Sequence, residues 1–212
     1  MVRMWRVALG VALTLALFAG SAQAARIPLV TATTNMGAGF GTNLLNTVNG
    51  VGLSALTLNA IHNPSAPNNS WVSALGVLIG EVTFDLQGLY TVSGFSFWNQ
   101  NAGGPGLLGS TGINGVAVSY STNGVVFVPL PGAPASFARV MTGPSPPQIF
   151  AFAPIDATHI RFQILSNWGD PSQTGFAEVG FDGVASAIPE PATGLLLLAG
   201  LYGVRHRMRR RG

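Results

Sequence analysis

The 212-residue chain has no cysteine, so thiol catalysis and cysteine-ligated metal centres are excluded and the fold must form without disulfides. Its ten basic residues are all arginines and outnumber the seven acids, which gives a net charge of +3. Seven arginines lie in two terminal clusters, each beside an apolar run, whereas the other three and all seven acids lie between them. This distribution is typical of membrane-topology signals rather than a nucleic-acid interface, and we expect no nucleic-acid partner.

The first 24 residues have the three parts of a secretory signal peptide. Two arginines in the first six positions precede an apolar run over residues 7–20, which is shorter than the ~20 residues that span a bilayer. Ala22 and Ala24 then provide small side chains at the two positions that a signal peptidase must accommodate. We predict an N-terminal signal helix, cleavage after Ala24 and export of the rest; an uncleaved membrane anchor is the alternative.

Residues 25–187 are long enough for one domain with a substantial core. They are rich in glycine, proline, asparagine, serine and threonine, and turn residues separate short runs of alternating apolar residues. Strands are predicted for residues 81–86, 92–97, 116–120, 125–128, 158–165 and 179–181, with Asn123-Gly124 as a hairpin turn. Period-two patterning without intervening helices predicts an all-β fold, a β-sandwich.

Several segments of this body follow one another in the order found in a known family. The first four are a Trp-x-Ser segment (residues 69–73), an alternating strand pair containing Asp-Leu (82–92), an aromatic-Asn pair (97–99) and a Ser-x-Asn-Gly hairpin (115–124). An arginine-containing strand (159–164), a Ser-Asn-Trp-Gly loop (166–169) and a closing strand (175–179) follow. Together they resemble the discoidin, or coagulation-factor type C, family of galactose-binding-like domains. The resemblance extends from Thr42 to Gly183 and implies a jelly-roll β-sandwich, although the family's usual cysteine pair is absent.

Enzyme chemistry has little support in the residues of the body. The body contains two histidines, His62 and His159, and its acids are scattered rather than paired along the sequence. It has neither a His-Glu-x-x-His motif nor a Gly-x-Ser-x-Gly elbow. We therefore expect no catalytic activity. The alternative is a secreted hydrolase that acts on glycans with a site assembled from residues distant in sequence.

Two tryptophan clusters have the chemistry of a carbohydrate site. Trp98 is followed by Asn99, while Trp168 follows Asn167 and precedes Asp170 by two positions. Aromatic faces stack on the C–H faces of sugars, and amide or carboxylate groups bind the hydroxyls. These five residues are therefore the candidate ligand-binding residues. The alternative is that both tryptophans pack against the rim of the sandwich.

The family resemblance also implies a structural calcium ion. Many galactose-binding-like domains hold one with backbone carbonyls of an early loop and a carboxylate near the closing strand, and calcium prefers such oxygen ligands. The corresponding positions in this chain are residues 46–53 and Glu178. Calcium is the only cofactor expected, and a surface-exposed Glu178 without metal is the alternative.

The final segment, residues 188–212, mirrors the first. Pro189, Glu190 and Pro191 are followed by an apolar run over residues 192–204 and by an arginine cluster at residues 205–211. As a helix, the apolar run is a short transmembrane segment with its arginines on the cytoplasmic side. These parts closely resemble the PEP-CTERM sorting tail of Gram-negative bacteria, in which an exosortase, a membrane transpeptidase, recognises the Pro-Glu-Pro motif. The resemblance implies that role for these three residues; a plain tail anchor is the alternative.

These expectations together describe an exported protein of the cell surface or extracellular matrix. Its partners would be signal peptidase, the inner membrane before processing, and an exosortase that passes it to the surface. Through the jelly-roll domain it would bind or associate with exopolysaccharide, without catalysing a reaction.

Overall fold

The computed structural model describes residues 25–101 and 107–186; the predicted signal helix, Pro189-Glu190-Pro191 and the predicted transmembrane helix lie outside the described residues. Apart from one 3-10 turn at Leu44–Thr47, the regular elements of these ranges are strands. They are β1 (Ala25–Arg26), β2 (Thr31–Thr34), β3 (Trp71–Val72), β4 (Gly80–Asn99), β5 (Val116–Ser121), β6 (Val128–Pro129), β7 (Gln148–Ile164) and β8 (Gly175–Ala185). The all-β prediction is confirmed. No helix within the described ranges is long and apolar enough to cross a membrane.

Strands β4 and β7 run through both layers of a sandwich. They pair antiparallel along nearly their whole length, with a break in register between Asp85 and Tyr90. Before the break β4 also pairs with β2, and after it with β8. Phe84, before the break, contacts Phe181 of β8 with ring centroids 5.3 Å apart, so the two parts of the sheet face each other across the core. The predicted β-sandwich is therefore present.

Phenylalanines from several strands form the centre of the core. Phe84, Phe95 and Phe162 are each at most 1% exposed. The rings of Phe95 and Phe162 lie 5.3 Å apart, and Phe97 stacks on Phe137 at 3.8 Å. Successive side chains of a strand point to opposite faces, so the spacing of Phe95 and Phe97 places both in the core. Full burial of each ring stabilises the fold by about 1.5–3 kcal/mol.

The hairpin after β5 differs from its prediction. The return strand covers only Val128–Pro129 instead of beginning at residue 125. The side-chain oxygen of Asn123 accepts hydrogen bonds from the amides of Val125 (2.9 Å) and Val126 (3.0 Å). Because these amides point back into the turn, they cannot pair with β5, and the β-branched side chains that suggested a strand lie in solvent.

Strand β7 begins at Gln148, well before the predicted start at residue 158. Its first half pairs with the second half of β4, from Phe97 opposite Gln148 to Tyr90 opposite Ala157. The outward face of this half also carries apolar side chains, such as Ile149, which is 66% exposed. The alternation of apolar and polar residues that marks the second half is therefore missing from the first.

An irregular segment, residues 48–70, covers part of the outward face of β4 and β8. Trp98 points to this face because its neighbour Phe97 points into the core. The Trp98 ring packs with Ala60 and Ala177 in a second buried cluster, and its Nε1–H donates to the Ala60 carbonyl at 3.0 Å. This packing decides which of the candidate residues solvent can reach.

Candidate functional site

The connection between β7 and β8, residues 165–174, lies among other loops at one end of the sandwich. We call it the β7–β8 loop. The Gly76 amide donates to the Ser172 carbonyl at 2.7 Å, and the Asp170 amide donates to the Ser110 carbonyl at 3.3 Å. The loop is thus joined on two sides to the segments that precede β4 and β5. It carries three of the predicted site residues, Asn167, Trp168 and Asp170.

Trp168 is held in place by two neighbouring segments. Its backbone amide donates to the Gly112 carbonyl at 3.0 Å, and its indole Nε1–H donates to the Phe137 carbonyl at 3.0 Å. The side chain is nevertheless only partly buried. A tryptophan whose N–H is anchored while part of its ring faces solvent can stack on an apolar ligand face without losing much side-chain freedom.

Asn167 and Asp170 fix the shape of the β7–β8 loop. The Asn167 side-chain amide donates to the carbonyls of Asp170 (2.9 Å) and Gln173 (2.8 Å), and Asp170 Oδ1 accepts from the amides of Ser172 (2.9 Å) and Gln173 (3.0 Å). Asp170 Oδ2 accepts one long hydrogen bond, from Ser110 Oγ at 3.3 Å. A carboxylate oxygen can accept more than one hydrogen bond, so a ligand hydroxyl could also donate to Oδ2 in the same loop as Trp168.

Trp98 and Asn99 lie in the interior, where Asn99 is hydrogen-bonded to Ile113, which in turn forms a bridge with Asn167 of the loop. Trp98 and Asn99 are each 1% exposed. The Asn99 side-chain amide donates to the carbonyls of Ile113 (2.7 Å) and Ala138 (3.0 Å), and its oxygen accepts from the Ile113 amide at 2.8 Å. Since the Trp98 ring lies under residues 48–70, neither side chain offers a surface to a ligand in this structure. Both connect the loops to the sheet.

Phe40 is a solvent-exposed aromatic residue near this loop that the sequence reasoning missed. It is 74% exposed and has a φ of 51°, in the left-handed region that bulky side chains rarely adopt. A Cβ added to Gly39 would lie 2.2 Å from Gln173 Nε2, so the turn packs directly against the β7–β8 loop. The signal in the sequence was an aromatic residue between two glycines, Gly39 and Gly41.

Glu178 lies in a different environment, on β8 under the irregular segment. It is fully buried, and its Oε1 accepts from Arg26 Nη2 at 2.5 Å. The Gly50 amide donates to both carboxylate oxygens, at 3.2 and 3.1 Å. Burial raises the pKa of Glu178 to about 7, although the Arg26 guanidinium and the Gly50 amide act in the opposite direction.

Comparison with known proteins identifies the fold. No protein-family model matches the chain, and no curated protein matches it. The F5/8 type C domain of a Bacteroides fragilis protein aligns with a TM-score of 0.54 and 16% identity, over 77% of this chain and 99% of that domain. CBM32-1, from a family 31 glycoside hydrolase of Clostridium perfringens, aligns with a TM-score of 0.52 and 14% identity, over 74% of this chain and 95% of that module. The fold is a discoidin-like β-sandwich.

The residues around Glu178 of this discoidin-like domain do not fit a calcium ion. Residues 46–53 reach the carboxylate through the Gly50 amide, which donates a hydrogen bond and cannot ligate a cation, while the Val48 carbonyl oxygen of the same segment accepts from Arg26 Nη2 at 3.3 Å. The positive charge beside Oε1 is the guanidinium of Arg26. Within residues 25–101 and 107–186, no group of three or more histidine, cysteine or acidic side chains could hold a metal. Glu178 is not the surface residue of the alternative prediction either.

The two histidines of the discoidin-like domain have contacts that belong to the fold. His62 is 1% exposed, its Nδ1 lies 2.6 Å from the Asn63 carbonyl oxygen, and burial lowers its pKa. His159, on β7, is partly exposed, and its Nε2 lies 3.8 Å from Asp85 Oδ2 on the paired strand β4. The Asn63 contact accounts for Nδ1 of His62, whose Nε2 is buried without a hydrogen-bond partner among the described residues. The Asp85 contact places His159 as a partly solvated side chain of the sheet.

Proposed function

We propose that the protein is a non-catalytic glycan-binding protein of the cell surface or extracellular matrix, and that its ligand binds at the β7–β8 loop. The observation that carries the proposal is the anchored, partly buried Trp168 in the same loop as the Asp170 carboxylate. An aromatic face next to a polar acceptor suits a sugar, which has an apolar C–H face and hydroxyl groups at its edge. The alignment with CBM32-1, a carbohydrate-binding module by name, supports this assignment.

Phe40 extends the proposed site. Its turn packs against the β7–β8 loop through Gly39 and Gln173, and its ring lies largely in solvent. An exposed aromatic ring offers an apolar face on which the C–H face of a sugar can stack. In the proposal, Trp168 and Phe40 contact different parts of one polysaccharide chain, which agrees with an exopolysaccharide rather than a single free sugar.

The second part of the proposal concerns location. We infer that signal peptidase releases the chain at Ala25, and that an exosortase recognises Pro189, Glu190 and Pro191 and passes the protein to the surface. The support is the order of the motif, the short apolar run and the terminal arginines. Cleavage after Ala24 would keep Ala25 and Arg26, the residues of β1, in the mature chain.

A glycan array with the mature chain, followed by titration of the best ligand, tests the binding site. Trp168→Ala should weaken binding by a factor of about 2–12 or more. An aromatic contact contributes ~0.5–1.5 kcal/mol beyond the area it buries, and the variant also loses the buried area. The thermal midpoint of this variant should fall by less than that of a fully buried tryptophan variant, since Trp168 is only partly buried.

Phe127→Ala is the matched control. Phe127 is also a partly buried aromatic residue, with the Arg161 guanidinium 3.7 Å from its ring centre, but it lies in the turn between β5 and β6. Its variant should bind the glycan like the wild type. Unchanged binding by a folded Trp168→Ala variant, or an equal loss in both variants, would contradict the proposed site. Hydrolysis of the bound glycan that is lost in Asp170→Asn would instead establish the hydrolase alternative.

A further inference from the structure

On the outward side of β8, the side chain of Arg26 crosses over Gly180. Val179 and Phe181 are each 1% exposed and pack in the core, so Gly180 and Glu178 face the opposite side of the strand. A Cβ added to Gly180 would lie 2.7 Å from Arg26 Nη1. The missing side chain at this position therefore gives the guanidinium its path to the Glu178 carboxylate.

The Arg26 guanidinium is surrounded by oxygen atoms from three places in the chain. Its Nη2 lies 2.5 Å from Glu178 Oε1, 3.3 Å from the Val48 carbonyl oxygen and 3.4 Å from the Val179 carbonyl oxygen. The Arg26 side chain is 9% exposed and that of Glu178 is fully buried. One carboxylate and two backbone carbonyls around a buried positive charge are the same types of ligand that calcium takes in proteins.

We propose that Arg26 is a built-in replacement for the divalent cation that the discoidin resemblance implies at this place. The guanidinium joins the early loop, through Val48, to the closing strand, through Glu178 and Val179. It thereby does for the fold what a calcium ion bound to the same oxygens would do. The positive charge that joins the early loop to the closing strand is thus supplied by the Arg26 guanidinium of β1, and the domain needs no metal there.

Physical chemistry favours this replacement over a bound ion. A guanidinium stays protonated at every physiological pH and forms several directed hydrogen bonds at once. Arg26 is also held beside its partner by the pairing of β1 with β8, in which Arg26 lies opposite Asp182. A calcium ion needs six to eight oxygen ligands, and it would be repelled by a guanidinium a few ångströms away.

Thermal unfolding of the wild-type mature chain with calcium and with a chelator gives the first test. The midpoint should be the same under both conditions, because the Arg26 guanidinium occupies the position that a calcium ion would take. A midpoint that rises with calcium, or falls with the chelator, would overturn the proposal. This measurement is independent of glycan binding, which is read out separately.

Removing the guanidinium gives the second test. Arg26→Ala leaves a buried carboxylate without its partner, so the midpoint should fall by roughly 6–20 °C. Calcium should then raise the midpoint of this variant, because Glu178, Val48 and Val179 still present their oxygens. A folded Arg26→Ala variant that shows no calcium response would overturn the replacement. If Arg26→Ala does not fold, Arg26→Gln, which removes the charge but keeps a polar side chain that can pack in the same place, is used for the same comparison.

Gly180→Ala provides a variant that keeps both charged residues. The added Cβ occupies the path of the guanidinium, whose flexible end can move away, so the Arg26–Glu178 contact should break and the midpoint should fall. Glu81→Gln is the matched control, since it removes a carboxylate from a partly exposed pair, with Arg161 at 3.5 Å. The control should change the midpoint little. Equal effects of the two substitutions would overturn the assignment of a special role to Arg26.

Discussion

Glu178 links the stability of the domain to pH at the scale of a single residue. Its pKa is raised from 4.5 to about 7 in the folded chain, chiefly by burial. Between these two values the folded chain keeps a proton that the unfolded chain has released. The contribution of Glu178 to the free energy of unfolding is therefore largest below pH 4.5, falls as the pH rises to about 7, and is constant above that.

Comparison with Glu178→Gln isolates this effect, because glutamine does not titrate. The thermal midpoint of the wild type minus that of the variant should decrease as the pH rises from 4.5 to about 7. The midpoints are measured by circular dichroism in a series of buffers of equal ionic strength. A difference that does not vary with pH would show that Arg26 keeps Glu178 ionised throughout.

The sequence could group candidate site residues only where they are neighbours in the chain. Asn167, Trp168 and Asp170 are close in sequence, and the structure places all three in one loop whose turn residues could be recognised. The pair of Arg26 and Glu178 could not, because 152 positions separate its members and the register of β1 on β8 brings them together. The sequence did place Glu178 near the early loop, but not the residue that supplies the positive charge.

At the scale of elements, two side chains hold the turn after β5: Ser121 Oγ accepts from the amides of Asn123 and Gly124, and Asn123 holds the residues that follow. Asn123 Oδ1 accepts from Val125, from Val126 and from Ser121 Oγ at 3.0 Å. Asn123→Ala removes this acceptor, and the two exposed amides must turn to water. We expect a loss of about 0.5–1.5 kcal/mol in the free energy of unfolding. Urea unfolding measures it, with an unchanged m-value as evidence that the fold is retained.

The control for this turn is Asn123→Asp. Aspartate keeps an acceptor oxygen at the same position and should preserve most of the stability. A loss in Asn123→Asp equal to that in Asn123→Ala would show that the hydrogen bonds of the turn do not stabilise it.

Strands were predictable where one face is buried and the other is polar. The second half of β7 meets that condition and was predicted, whereas the first half has apolar residues on both faces and was not. Burial of Trp98 was also beyond local patterns, because it depends on residues 48–70 folding over β4 and β8. An irregular covering segment leaves no period in the sequence.

At the scale of the whole molecule, the sorting proposal predicts separate effects on insertion and release. Replacement of Pro189, Glu190 and Pro191 by alanine leaves unchanged the apolar run and the arginines, to which the proposal assigns membrane topology. We expect the variant to reach the inner membrane and to remain there. Cell fractionation with detection of the discoidin-like domain measures this, and surface delivery equal to that of the wild type would leave only a plain anchor.

The pairing of β1 with β8 also bears on when the protein can fold. Ala25 and Arg26 lie opposite Gly183 and Asp182, so the first strand of the domain meets its partner only after almost the entire domain has been made. In the proposed export the chain would cross the membrane from its N-terminus, and this contact of very high sequence separation would wait until translocation of the domain is nearly complete. Until then β1 would remain an unpaired strand, so the proposal places the final folding step outside the cytoplasm.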